Sequence, residues 1–431
     1  MPYRLGFTLC LLLSLVACST SPAPHFAGEW GGTATTQLES TELVVHIAHS
    51  DNVLRAYITL PDVGVARWPA TSLHGDEKSL EISIPSDSGK QAIALQLLDG
   101  VLLGEWQEAR FEELAKVRLA RREAVSTYSE QRLSIEGPAG LLGASFFSPS
   151  TCDGCPAVVF LHGSGPQPRD ASRFHAIKLA ENGIASVIFD KRGVAESEGS
   201  YVGASFQDLA ADGIAVAEFL HDMPQISRIG FYGHSQGGWI APLAASMWPH
   251  SAFVITSSGP AVTPSREAQW EVVRAMRKAG SEERDVEQAR DIIELWHHGI
   301  RSGNWLEFDE AVTEVKDSTW YRRVAQYRRR PDRDFIRAYQ AYMDYDPIPA
   351  LSALSVPMLA ILAPDDESID AMETAAILGK LADQGQDIRV TLYPGYDHSL
   401  RKLGEDGNFL RWPPQPVNLY DLQVRFIQET N

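Results

Sequence analysis

The stretch "RIGFYGHSQGGWIAP", Arg228 to Pro242, constrains the fold more than any other part of the chain. A short apolar run enters Gly233-His234-Ser235-Gln236-Gly237, and a helical pattern leaves it. A strand-to-helix reversal this tight holds its central residue in strained backbone geometry, so the flanking positions have to be nearly free of side chain. Gly233 and Gly237 meet that need, and Gly238 gives the departing helix room to approach a sheet. The turn then lifts Ser235 Oγ to the carboxyl edge of the sheet, where open α/β sheets bind ligands. The N–H of Gln236 opens the helix and faces the same space, where it can receive developing negative charge.

The surroundings agree with such a sheet. From about Val125 onward, "AVVFLHG", "ASVIFD", "RIGFYG", "AFVITS" and "MLAILA" are short, nearly continuous apolar runs. Runs of this kind suit strands buried on both faces of a parallel sheet. Amphipathic patterns separate them, among them "FQDLAADGIAVAEFLHD", whose acids Asp208, Asp212 and Glu218 mark one face. Alternating strands and helices predict a doubly wound α/β sheet over residues 125–431. Between about 265 and 345 the strands stop and three amphipathic helical patterns follow, which predicts a helical lid inserted between two strands. Its aromatic residues Trp270, Trp296, Trp305, Trp320 and Tyr321 are expected mainly in core packing.

Residues 26–124 have a different texture. "TELVVHIAHS", "VLRAYITL", "SLEISI", "AIALQLL" and "VLLGEW" read as strands, with "HGD", "SDSGK" and "DG" as turns between them. A small antiparallel β-domain is expected there. His46, His49 and His74 lie in it without metal-ligand spacing or acidic partners, so they read as ordinary strand or surface residues.

Two further segments supply the parts that an activated serine needs. "VVFLHGSGPQPRD" follows the first long apolar run, and its glycines let backbone N–H groups approach a substrate oxygen. The N–H of Ser164 is the expected second oxyanion donor, with Gly163 or Gly165 as alternates; each such donor is worth about 3–4 kcal/mol in the transition state. "MLAILAPDDESID" ends a late strand in acids, where a carboxylate can hold an imidazole in the correct tautomer. Asp365 and Asp366 both fit, with Glu367 a weaker third. "VTLYPGYDHSL" then places His398 on a loop after another strand, completing the chain order Ser…Asp…His. His162 is expected to order its loop, His234 to pack or hydrogen-bond locally, and His297 and His298 to lie on a helix surface.

These residues resemble the α/β-hydrolase superfamily over roughly Val125 to Asn431. More narrowly, "HGSGPQPRD", "FDKRGVAESEG", "GFYGHSQGGWIAPLAA", "YDPIPALSALSVPMLAILAPDD" and "YPGYDHSL" resemble the bacterial serine-esterase branch related to the prolyl-oligopeptidase catalytic domain. The resemblance implies an α/β-hydrolase fold and a catalytic triad of Ser235, Asp366 and His398. It implies ester hydrolysis through an acyl-enzyme, without metal or organic cofactor. Ala363 stands where family members often carry a glycine before the acid, which leaves Asp365 open as the alternative. In "DKRG", Asp190 and Arg192 are expected to fix a loop.

The N-terminus predicts location. Arg4, an apolar run from Leu5 to Ala17, Cys18 and a Ser/Pro-rich stretch have the layout of a secretory signal too short to span a bilayer. "LVAC" resembles the lipobox of bacterial lipoproteins. The resemblance implies a signal peptide over 1–17, lipidation of Cys18, a tether over 18–25 and, with Ser19 next, an outer membrane location facing the periplasm. Cleavage to a soluble secreted or periplasmic protein is the alternative. A formal net charge of −18 argues against a nucleic-acid partner. Cys152 and Cys155, in "TCDGCPAVV", are expected as a small structural disulfide or as two inert thiols. The expected partner is a small-molecule ester, with a peptide or aminoacyl substrate and a non-catalytic ligand-binding role as the alternatives.

Overall fold

Alternation of buried and exposed residues organises the first part of the chain. Val53–Leu60, and Ala115–Arg122 as far as Leu119, bury every second side chain, as a strand with one face on a core must. The computed structural model describes residues 24–50, 53–85, 89, 91–123, 126–405 and 410–430; the expected signal segment 1–17 and Cys18 lie outside the described residues. The chain divides into two compact units, residues 1–61 with 66–124, and residues 62–65 with 125–431.

The first unit is one antiparallel sheet of nine strands. The strands follow one another as neighbours except at one place, where the first, Gly28–Thr35, pairs with the last, Ala115–Arg122. Its core holds Trp30, Leu43, Val45, Ile58, Ile82, Ile93, Leu102 and Trp106. Its tightest point is Gly104, where a Cβ would fall 1.8 Å from the Ala94 carbonyl oxygen on the neighbouring strand. The sequence predicts a turn at "HGD", but His74 and Gly75 belong to a short strand, Ser72–Gly75. A second short strand, Val65–Pro69, joins the other edge of the sheet.

In the second unit we number eight strands: β1 (Tyr128–Gly137), β2 (Gly140–Pro149), β3 (Cys155–Leu161), β4 (Ala185–Phe189), β5 (Ile226–His234), β6 (Ser251–Ser257), β7 (Met358–Leu362) and β8 (Ile388–Leu392). They form one sheet in the order β1-β2-β4-β3-β5-β6-β7-β8. β1–β2 and β2–β4 pair antiparallel, and all later neighbours pair in parallel. β4 and β7 are buried at every residue, which is why they read as unbroken apolar runs.

The helices are α1 (Arg173–Glu181), α2 (Phe206–His221), α3 (Gly237–Met247), α4 (Pro264–Lys278), α5 (Glu283–Ser302), α6 (Leu306–Val315), α7 (Arg333–Gln340), α8 (Ile348–Ser352), α9 (Ala371–Asp383) and α10 (Leu419–Glu429). α2 starts where Ser205 and Asp208 cap each other: the Asp208 N–H donates to Ser205 Oγ and the Ser205 N–H to Asp208 Oδ2, at 3.1 and 2.8 Å. Loss of such a cap costs about 1 kcal/mol. α4 to α7 lie between β6 and β7 and close over a hydrophobic cluster of their own, which includes Val286, Ile293, Trp296, Ile300, Phe308 and Tyr327. Trp296, Trp305, Trp320 and Tyr321 are buried in that cluster, whereas Trp270 is only half-buried. Cys152 and Cys155 are joined in a disulfide that closes the turn leading into β3.

Candidate active site

Three loops at the carboxyl ends of β3, β5 and β7, with a fourth after β8, carry the residues singled out above. The elbow comes first. Ser235 takes φ +55°, a left-handed conformation that a residue with a side chain rarely adopts. Its own N–H donates to the Ser257 carbonyl at 3.0 Å, and its carbonyl accepts from the Gly238 N–H at 2.7 Å, so the strained turn is bonded on both sides. The flanking glycines are sterically obligatory: a Cβ on Gly233 would meet the Gly237 carbonyl oxygen at 1.9 Å, and one on Gly237 would meet the Leu161 carbonyl oxygen at 2.5 Å.

The acid and the histidine meet. Asp366 is wholly buried, and its Oδ2 lies 2.7 Å from His398 Nδ1. Its Oδ1 accepts from the N–H groups of Ser368 (2.7 Å) and Ile369 (3.2 Å), which hold the carboxylate rotated toward the histidine. Asp365 points elsewhere: its Oδ2 accepts from the Gly395 N–H at 2.7 Å. Glu367 is exposed and paired with Lys278. Of the three candidate acids, the structure brings only Asp366 to His398.

The His398 loop is held by Asp397, whose Oδ1 accepts from the N–H groups of Ser399 and Arg401 at 2.9 and 2.8 Å. Sequence reasoning missed this role; an aspartate two and four residues ahead of amides it can cap is the signal. The His398 ring packs against His234, one residue before the serine, at 5.1 Å between centroids. The structure contains the hydrogen bond on the Nδ1 side of His398 and none between His398 and Ser235 Oγ. Such a bond is one that substrate binding tightens. His234 is fixed by the Ser257 carbonyl at 3.1 Å, and burial, with the neighbouring His398, pushes its imidazole down to about 3. Burial likewise pushes His162 down to about 3, with Nε2 against the Phe189 carbonyl. Both are neutral rings that order backbone.

The loop expected to supply an oxyanion donor follows β3. The Gly163 N–H donates to Gln167 Oε1 at 2.9 Å and is therefore already engaged. Among the described residues, no acceptor takes the N–H of Ser164 or of Gln236. The loop is anchored from below by the "DKRG" segment. Asp190 accepts from the Arg169 N–H at 2.7 Å and pairs with its guanidinium at 2.9 Å. Arg192 forms a two-point pair with Asp212 at 2.6 and 2.8 Å.

Helix α4 brings two more carboxyl groups near the acid. Glu267 is almost fully buried, with Oε1 accepting from the Asp370 N–H at 2.8 Å and Oε2, among the described residues, without a partner. Burial, with Asp370, Asp366 and Glu373 nearby, pushes it up to about 8. One turn on, Glu271 is exposed. Partial loss of water around its carboxyl raises its pKa, the charge of His398 acts in the opposite direction, and Asp366 adds to the rise. Neither glutamate was read from the sequence as part of the site. Among the described residues no group of His, Cys, Asp and Glu could hold a metal ion.

A sheet of this order, with a serine at its sharpest turn, is the architecture of an α/β hydrolase, and the chain is a serine hydrolase of that superfamily. Residues 155–402 match the family model Hydrolase_4, described as serine aminopeptidase, S33, and the chain belongs to that family. No curated protein matches it in sequence. Solved structures similar to it include the Pyrococcus furiosus esterase Pf2001, at 15% identity over 63% of this chain and 83% of that chain, with a TM-score of 0.41. Another is the Pyrobaculum calidifontis esterase, at 18% identity over 63% and 77% of the two chains, with a TM-score of 0.39. A third is Est1E from Butyrivibrio proteoclasticus with ferulic acid bound, at 16% identity over 69% and 96%, with a TM-score of 0.42.

Proposed function

We propose that the chain is a serine esterase that cleaves carboxylic esters through Ser235, His398 and Asp366, in the bacterial branch related to the prolyl-oligopeptidase catalytic domain. The observation that carries the reading is the 2.7 Å contact of Asp366 with His398 Nδ1, beside a serine held at φ +55°. A buried carboxylate on Nδ1 leaves Nε2 as the basic nitrogen. His398 takes the Ser235 proton as Oγ bonds to the ester carbonyl carbon. The carbonyl electron pair moves onto oxygen, which the N–H groups of Gln236 and Ser164 receive. As the tetrahedral intermediate collapses, the C–O bond to the alcohol breaks and His398 gives that oxygen its proton. Water then repeats the sequence on the acyl-enzyme, releasing the acid and restoring Ser235.

In this reading α4 to α7 form a lid that bounds the acyl pocket. The protein sits in the cell envelope, held to a membrane by lipid on Cys18 and facing the periplasm, where Cys152 and Cys155 stay oxidised.

Glu271 favours a second reading, hydrolysis of aminoacyl or peptide amides. An exposed carboxylate one turn along α4 from Glu267, electrostatically coupled to His398, suits a substrate that carries an ammonium group, and the family description names aminopeptidases. The ester reading stands first because the N-terminal unit is a single nine-stranded sheet, without the repeated four-stranded blades that related exopeptidases use to enclose peptides.

The deciding experiment is hydrolysis of p-nitrophenyl esters from acetate to palmitate beside aminoacyl p-nitroanilides, with residues 19–431 and the Ser235→Ala variant. Ester turnover confined to the unaltered serine supports the proposal, and amide turnover without ester turnover replaces it with the second reading. Equal turnover with and without Ser235 rejects both.

A further inference from the structure

We propose that Lys191 is a positioning residue that holds the two halves of the oxyanion hole in register, by clamping the Ser164 loop and the Gln236 side chain to one ammonium group. The proposal rests on the reading of Ser235 as nucleophile and of the Gln236 and Ser164 N–H groups as oxyanion donors.

Lys191 follows β4 by two residues and is only 2% exposed. A lysine that deep ordinarily pairs with a carboxylate, because an isolated ammonium is costly to bury. Among the described residues no carboxylate accepts from Nζ: Asp190, next in the chain, pairs with Arg169, and Asp212 with Arg192. Nζ instead spends its N–H groups on three neutral oxygens. They are the carbonyls of Gly163 (2.7 Å) and Gly165 (3.1 Å), and the side-chain Oε1 of Gln236 (2.8 Å). An ammonium has three donors, so all are used. Tyr201 covers the group, with its ring centroid 5.9 Å from Nζ.

The choice of acceptors gives the arrangement its meaning. Gly163 C=O and Ser164 N–H belong to the same peptide unit, which is planar and trans. Pinning that carbonyl toward Lys191 therefore aims the Ser164 N–H the opposite way. A cation at the carbonyl end also polarises the unit and makes its N–H a stronger donor. The third bond ties the same cation to Gln236, whose backbone N–H is the other donor. One side chain thus sets the relative placement of two amides that come from different strands, β3 and β5. Preorganised donors of this kind lose value quickly when they are displaced.

Burial pushes the Lys191 ammonium down to about 8. The titratable and charged groups facing it are the His162 ring on the loop after β3, kept neutral by burial, Tyr201, and the Arg169–Asp190 and Arg192–Asp212 pairs that flank its own segment.

The test uses Lys191→Met, which keeps the length and removes the ammonium, with Gln236→Met as a milder variant that cuts one of the three ties. For p-nitrophenyl acetate, Lys191→Met is expected to lower kcat by ~10- to 100-fold with KM within about threefold, as for a loss felt only in the transition state. Gln236→Met is expected to lose less, and supplies the same readout should Lys191→Met not fold. In the unaltered protein kcat is expected to decline above about pH 8, and in Lys191→Met that alkaline limb is expected to vanish. Both variants should still label at Ser235 with a fluorophosphonate. Folded variants with kcat and alkaline limb like the unaltered protein overturn the proposal. Loss of all Ser235-dependent turnover in the unaltered protein marks failure of the underlying reading instead.

Discussion

Gly238, the second residue of α3, meets Gly259, in the loop after β6, backbone to backbone: a Cβ on Gly238 would sit 2.2 Å from the Gly259 Cα. The Trp239 indole N–H reaches the Val262 carbonyl at 2.8 Å and fastens the same crossing. No side chain fits there without the start of α3 moving, and the start of α3 carries the elbow.

Gly238→Ala is therefore expected to lower both stability and turnover. Overpacking of a close contact costs about 1–3 kcal/mol, read as a lower melting temperature. The shift passes to Ser235, two residues from the elbow glycine at 237, and kcat is expected to fall by ~10- to 100-fold. Unchanged melting and kcat would show that the crossing tolerates a methyl group.

Asp365 and Asp366 separate cleanly under the same substitution. Asp366→Asn presents an amide to His398 Nδ1 and favours the wrong tautomer, so kcat is expected to drop by ~10³- to 10⁴-fold. Asp365→Asn keeps an acceptor for the Gly395 N–H, and its kcat is expected to stay within about tenfold. Steady-state kinetics on the two variants decide the matter, and the reverse order would transfer the role to Asp365.

Glu267 makes stability depend on pH. Its carboxyl titrates near 4.5 when unperturbed and is held at about 8 in the fold, mainly by burial. Below pH 4.5 both states keep the proton. Between 4.5 and 8 the unfolded chain releases it first, so stability falls as pH rises, and above 8 the loss is complete. Glu267→Gln removes this dependence. Its melting temperature, followed from pH 5 to 8.5, is expected to decline less than that of the unaltered protein; parallel curves would contradict the assignment.

Lipid attachment at Cys18 gives a prediction that needs no enzymology. Cys18→Ser, expressed from the full chain in a Gram-negative host, is expected to leave the membrane fraction and to lose incorporation of labelled fatty acid. Retention of both would remove the anchor.

Much of the site was legible in the sequence, for a physical reason. Ser235 needs glycines at fixed offsets, and those offsets survive in one dimension. The choice of Asp366 over Asp365 was legible only through the family resemblance, because adjacent acids differ only in which amides turn them: Gly395 takes one, Ser368 and Ile369 hold the other. Lys191 was hidden between two residues that fix a loop, since its partners lie in segments far along the chain. In the N-terminal unit the long strands announce themselves by alternation. Ala115–Arg122 was missed because four of its eight side chains are Lys or Arg, and its pairing with Gly28–Thr35 joins residues almost a hundred positions apart, which no local pattern encodes.

The φ of +55° at Ser235 reaches beyond reaction chemistry. Glycine occupies that region freely, whereas any other residue there carries about 1–3 kcal/mol of backbone strain. Selection for heat resistance alone would thus drift toward Ser235→Gly, a sturdier protein that the proposed mechanism makes inert. The elbow makes thermal robustness and reactivity opposing demands on one position, so a screen for hardier variants has to score turnover alongside survival.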